Sequence, residues 1–345
     1  MRYIGGKSKL LLEIEKLIRE NIVIDSGDMI FADIFAGSGS VARHFKHYFS
    51  VIANDILYFS HVLQKATIEN NINFNINTML IDGKNVCDYL MTLNDNIADP
   101  NLFIHDNYSP DSYSNRMYFT ARVAKQIDIF RINLEYLLKN DKITEEEYFY
   151  LLACLLETVP FYSNITGTYG AYLKYWDKRA LKDFELYNLE VQDNKKSNKT
   201  FNCDANVLIK NIKGDILYLD PPYNTRQYLP NYHVLETIAK YDYPKINGVT
   251  GIRSYSSVEK SDFCSRIRVQ DAMEELIAVA DFQYIVISYN NEGLIKEPNF
   301  ESLLAKYSKK NQFVKQIVPY KKYKSKLLHN NRMPLYEIIY LIEKK

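Results

Sequence analysis

At 345 residues the chain is long enough for one large domain or two modest ones around a sizeable core. Its formal net charge of +1 carries no global signal, so a nucleic-acid surface has to be a local patch. Cys87, Cys154, Cys203 and Cys264 form no CxxC pair, which argues against a zinc site or a disulfide framework; with no signal-peptide core and no membrane-length apolar run, a soluble cytoplasmic protein without a metal is expected.

The first motif is Tyr3-Ile4-Gly5-Gly6-Lys7-Ser8. Its Gly-Lys-Ser suggests a phosphate loop, but that loop needs another glycine five residues before Gly6, where Met1 stands, and a strand ahead of it. Leu10, Leu11, Ile14, Leu17 and Ile18 then fall on one face at helical spacing. An apolar strand from Ile30 runs into Gly37-x-Gly39-x-x-Ala42 and a helix through about His47. Small residues in such a turn let the backbone approach a ligand beside a helix start. A second strand, Val51-Ile52-Ala53, ends in Asn54-Asp55, at the distance expected of an acid that binds a ribose hydroxyl pair. A βα unit without a ligand would show the same residues. His44 and His47 lie a turn apart with no third ligand and read as surface residues.

A helix is expected from Leu57 to Glu69 and a loop from Asn70 to Asn77. From about residue 95 to 199 helical periodicity dominates, through Arg122 to Leu138 and Tyr148 to Leu156. The run that follows Pro160 carries Tyr169, Tyr172, Lys174, Tyr175, Trp176, Lys178 and Arg179. Aromatics, cations and glycines suit a surface that grips phosphates and stacks on bases, and equally a Tyr-rich edge of a helical subdomain. The segment reads as an insertion that splits one α/β domain into residues 1–94 and 200–345.

The α/β pattern resumes at Asp204. Ile216 to Leu219 form a short apolar run stopped by Asp220-Pro221-Pro222-Tyr223, and proline disfavours continuing the strand beyond Asp220. A carboxylate therefore stands at the carboxyl end of a buried strand, where open α/β sheets place their ligand sites. Helices are expected over Asn231 to Lys240 and Arg266 to Ala280, and strands over Tyr284 to Ser288, Phe313 to Val318 and Tyr336 to Ile342. Between Glu301 and Glu337 there is no acid, and Lys321, Lys322 and Lys324 alternate with tyrosines, the footprint of a basic patch or of a solvated hairpin with no ligand.

Asp220-Pro-Pro-Tyr223 suits a planar substrate that carries an amino group. Such a nitrogen is a poor nucleophile because its lone pair is delocalised into the ring. Two acceptors on its hydrogens, the Asp220 carboxylate and the Pro221 carbonyl held rigid by Pro222, favour a tetrahedral nitrogen, and Tyr223 stacks on the base.

In this order Tyr3-Ile-Gly-Gly-Lys7, Phe31-Ala-Asp-Ile-Phe35-Ala-Gly37-Ser-Gly39, Asn54-Asp55, Phe201-Asn-Cys203-Asp204, Asp220-Pro-Pro-Tyr223, Asn224-Thr-Arg226-Gln227-Tyr228 and Ile287-Ser-Tyr-Asn290 span nearly the whole chain. The sequence resembles the DNA adenine methyltransferases of the Dam type, and more closely the FokI-type modification methylases. The resemblance implies a Rossmann-like methyltransferase sheet with a largely helical inserted target-recognition subdomain over 95–199. It also implies methyl transfer from S-adenosylmethionine to N6 of a flipped-out adenine in double-stranded DNA, within a restriction-modification system, and leaves open whether a cognate endonuclease is encoded separately. By motif position Tyr3, Lys7, Asp33, Phe35, Gly37, Gly39, Asp55 and Asp204 surround the cofactor, with Asp204 near its adenine ring. Tyr3 stands where Dam-type enzymes have a tryptophan. Flipping an adenine costs about a few kcal/mol, offset by backbone contacts. Candidates for those contacts are Tyr169, Lys174, Lys178, Arg179, Arg226 and the lysines from Lys315 to Lys326, Lys321, Lys322 and Lys324 among them. An RNA adenine or protein glutamine methyltransferase, a nicotinamide-dependent oxidoreductase and a non-catalytic DNA-binding protein remain as alternatives.

Overall fold

The computed structural model describes residues 5–24, 28–94, 100–319 and 335–345. Tyr3, Lys321, Lys322 and Lys324 lie outside the described residues. Seven strands make one sheet: β1 (Ile30–Asp33), β2 (Ser50–Asn54), β3 (Lys199–Phe201), β4 (Lys213–Leu219), β5 (Asp281–Asn290), β6 (Val314–Pro319) and β7 (Tyr336–Glu343). Across the sheet they run β6-β7-β5-β4-β1-β2-β3. Strands β1 to β5 pair parallel, while β7 is antiparallel to both β5 and β6. The result is the α/β, Rossmann-like sheet that the sequence predicts.

Strands β1 and β7 and the later parts of β4 and β5 read as apolar runs because both faces are covered. Side chains alternate between faces along a strand. Phe31, Ile216, Tyr218, Val286 and Ile339 pack with Leu10, Ile14, Leu17 and Ile18, which are on or just ahead of the helix Leu11–Asn21. Ala32, Leu217, Leu219, Ile285, Ile287 and Ile338 join Met273, Leu276 and Ile277 of the helix Val269–Val279 and Phe300 and Leu304 of the helix Glu297–Tyr307. The expected strands were a little short. β5 extends back to Asp281, ahead of the expected Tyr284, because exposed Asp281 and Gln283 interrupt the apolar run there, and β3 has only three residues, too few to show a period.

The chain forms two compact units. One holds the sheet and contains Gly5–Ile56, Lys196–Gln227 and Lys260–Lys345; the other, largely helical, contains Leu57–Lys195 and Tyr228–Glu259. One buried carboxylate ties distant segments of the helical unit together. Buried Glu236, on the helix Leu229–Lys240, accepts the backbone N–H groups of Tyr58 (3.0 Å) and Phe59 (2.9 Å), which start the helix Tyr58–Gln64. Those orphan donors of a helix start need an acceptor, and the acceptor comes from far along the chain. The helices Ala121–Lys139 and Glu145–Tyr162 are capped locally instead, by Thr120 and by a Thr144/Glu147 capping box.

Candidate active site

In the sheet unit, the carboxyl ends of β1, β2, β4 and β5 lie at one edge, since these strands are parallel. β1 ends at Asp33, β2 at Asn54, and β4 at Leu219, one residue before Asp220. Because β7 runs the other way, its first residues reach the same edge, and Glu337 sits opposite Asn290, the last residue of β5. The topology thus brings together acids that are far apart in sequence.

Gly37 (φ 53°) and Gly39 (φ 78°) occupy the left-handed region, which a side chain would strain. The Gly37 N–H donates to Asp55 Oδ2 at 2.9 Å, and the Ala36 N–H donates to the Asn54 carbonyl at 2.9 Å. The Asn54 amide ties three segments, donating to the Ile34 and Cys203 carbonyls (3.0 and 3.1 Å) and accepting the Cys203 N–H (3.1 Å). Asp204 caps the short helix Ala205–Leu208, accepting the N–H groups of Asn206 and Val207. Phe35 lies edge-on to Phe263, with ring centres 4.9 Å apart. Together these residues form a backbone cradle with acids at its rim.

Asp33 is buried, and its Oδ1 has no hydrogen-bond partner among the described residues. Burial, with Asp220 and Asp55 adding repulsion, holds this carboxyl well above its ordinary range despite the Phe35 and Ala42 backbone donors. A spare buried acceptor of this kind suits a cationic ligand.

At the head of β4, Asp220 is 15 % exposed and Lys7 5 %. Lys7 Nζ stands 3.1 Å from Asp220 Oδ1 and 3.2 Å from Glu337 Oε2, and 5.6 Å from the centre of the Tyr223 ring. Burial alone would lower the Lys7 pKa, but Asp220 and Glu337 overcome it and hold the ammonium above the ordinary lysine range. Burial raises Asp220 to about 6, with Lys7 pulling it down and Glu337 pushing it up. Tyr223 is half-buried, and its carbonyl accepts the Leu294 N–H at 3.1 Å, which fixes the turn after Pro221 and Pro222.

Lys7, Asp33, Phe35, Gly37, Gly39, Asp55, Asp204 and Asp220 to Tyr223 all lie in the sheet unit. Glu337 is the residue that sequence reasoning passed over. Its signal was available: an acid directly ahead of the apolar run Ile338-Ile-Tyr-Leu-Ile342, near the start of a strand. In the helical unit Lys174, Lys178 and Arg179 are exposed, and Arg179 is already paired with Asp177 at 3.0 Å. Tyr169 corrects the surface assignment. It is buried, its hydroxyl 2.8 Å from Ser163, so it packs the core instead of facing a nucleic acid. Arg226, in the sheet unit, is exposed, whereas Lys315 is engaged by Glu297 and Glu301 and is a poor phosphate contact. Among the described residues no group of three or more His, Cys, Asp and Glu is placed to hold a metal ion, and no helix is long and apolar enough to cross a membrane.

The D12 class N6 adenine-specific DNA methyltransferase family matches residues 3–303. The chain is 46% identical over 346 residues to the type II methyltransferase M.FokI of Planomicrobium okeanokoites, matching all of this chain and 53% of that protein. It is 41% identical over 347 residues to the modification methylase StsI of Streptococcus sanguinis, which it covers to 52%. Against the type II methyltransferase M.NlaIII of Neisseria lactamica it is 37% identical over 345 residues, covering 99% of that protein. The chain therefore spans about half the length of the first two relatives and nearly all of the third.

Proposed function

The chain belongs to the D12 class N6 adenine-specific DNA methyltransferases, and from that premise we propose that it methylates N6 of an adenine flipped out of duplex DNA, using S-adenosylmethionine. The observation that carries this reading is the position of Asp220, mostly buried at the end of the central strand, beside Lys7 and the rigid Pro221-Pro222 turn. Asp220 and the Pro221 carbonyl each accept one hydrogen of the adenine amino group. That draws the nitrogen toward a tetrahedral shape and frees its lone pair, while Tyr223 stacks on the ring. When bound, S-adenosylmethionine would supply an electrophilic methyl on a sulfonium, whose sulfur would leave with the electrons of the broken bond, and the amino nitrogen would have one proton to give up. Ionised Asp220 is the base placed to receive that proton.

The cradle fits such a cofactor by its chemistry. The unpaired oxygen of Asp33 suits a cationic head, Asp55 beside Gly37 suits a ribose diol, and Asp204 with Phe35 suits a flat amino-bearing base. The helical unit, with exposed Lys174 and Lys178, and exposed Arg226 of the sheet unit supply cations for the DNA backbone. In the cell the protein serves as the modification arm of a restriction-modification system, a reading supported by its likeness to proteins named as a type II methyltransferase and a modification methylase. The test is to incubate the protein with labelled S-adenosylmethionine and duplex DNA, RNA or protein and to locate the labelled atom. Label on adenine N6 of DNA is expected; label confined to RNA or protein overturns the proposal.

A further inference from the structure

Lys7 is shared by two carboxylates at nearly equal distance, 3.1 Å from the mostly buried Asp220 and 3.2 Å from the buried Glu337. A lysine paired with Asp220 alone would neutralise it. The nitrogen that becomes positive while taking the methyl would then face no net charge. With Glu337 the cluster Lys7, Asp220 and Glu337 carries one positive and two negative charges, a net charge of −1. Glu337 is itself fixed, its Oε1 accepting from the Asn290 amide at 3.4 Å and its strand position locked by the β7–β5 register. Asn290 and Glu337 thus form the far wall of the cluster, and Lys7 is drawn toward that wall and away from a single pairing with Asp220.

We propose that Glu337 is a positioning residue for the methyl transfer, holding Lys7 between two carboxylates so that Asp220 stays available to the amino group and the clamp stays anionic where positive charge develops. The inference rests on the proposed N6 methylation and deepens it. Its logic is electrostatic preorganisation: a charge fixed before the reaction acts on the transition state without reorganising. The charged and titratable groups facing Asp220 are Lys7 ahead of the helix Leu11–Asn21, Asp33 at the end of β1, Tyr218 on β4 itself and Glu337 on β7. Of these, Glu337 is the one whose charge raises Asp220 and which binds Lys7 as well.

The experiment is Glu337→Gln, followed by single-turnover methylation of duplex DNA between pH 5 and 8.5 at saturating S-adenosylmethionine, with cofactor affinity and thermal melting measured in parallel. The expected result is a rate about tenfold lower, short of the loss caused by removing a direct transition-state partner. The acid limb of the profile should also move to lower pH, because Asp220 loses its repelling neighbour, with cofactor affinity held within about twofold. An unchanged rate and acid limb, or a loss traced wholly to cofactor affinity with the limb in place, overturns the inference. Should Glu337→Gln fail to fold, Glu337→Asp keeps the charge and is expected to keep the wild-type acid limb; a shifted limb there overturns the inference too. Wild-type protein that leaves adenine unmethylated would refute the proposed function itself, which keeps the two failures distinct.

Discussion

Replacing Asp220 by asparagine separates what this residue does for the reaction from what it does to the fold. At about 1.4 kcal/mol for each tenfold change in proton affinity, the rise from 3.8 to about 6 means that ionised Asp220 costs the folded state up to about 3 kcal/mol. The sign follows from linkage. A carboxyl whose folded pKa is raised penalises folding fully above that pKa, and the penalty fades as pH falls from about 6 to the unfolded value near 3.8. Asp220→Asn removes the charge with little change of shape, and Lys7 keeps Glu337 as a partner at 3.2 Å. The variant should therefore melt higher than wild type above pH 6, by up to about 6 °C, and the difference should vanish near pH 4. Methyl transfer, by contrast, should fall about 100- to 1,000-fold, because an amide offers a neutral acceptor in place of an anionic one. Cofactor affinity should hardly change. Calorimetric melts from pH 4 to 8, run beside the labelled-methyl assay, check both halves. A variant that melts well below wild type at pH 7, or that methylates at the wild-type rate, refutes the reasoning.

The wild-type single-turnover rate should itself show an acid limb with a midpoint near pH 6, set by Asp220; a rate that is flat down to pH 4.5 contradicts this. Asp55→Ala loses the 2.9 Å bond to the Gly37 N–H and is expected to weaken S-adenosylmethionine binding about 5- to 30-fold by titration calorimetry while sparing DNA affinity; the opposite pattern would exclude Asp55 from the cofactor site. Lys174→Ala with Lys178→Ala should lower the slope of log affinity against log salt by about 1–2 in DNA binding, and an unaltered slope would remove these lysines from the interface. Tyr169→Phe, which deletes a buried hydroxyl next to Ser163, should cost about 1 kcal/mol of stability and leave DNA affinity intact; weakened binding at full stability would return Tyr169 to the surface role.

Much of this protein was legible in the chain itself. Apolar runs closed by glycine, acid or proline located β1, β2 and β4, because a strand buried on both faces needs uninterrupted apolar residues and a breaker to end it. The positive φ of Gly37 and Gly39 and the placement of Asp220 after Leu219 follow from local sterics, which act over a few residues and so leave a local trace. What the tertiary structure decided concerns partners distant in sequence. Tyr169 sits in a Tyr- and Lys-rich run that looks like a nucleic-acid surface, yet packing turns it inward. Glu236 caps a helix 177 and 178 residues earlier, a pairing with no local trace. Glu337 reaches Lys7 across 330 residues only because β7 is reversed and its first residues return to the edge where the parallel strands end. Periodicity and breakers report the chain's own local preferences; the pairing of buried charges depends on strand order and direction, which no local pattern encodes.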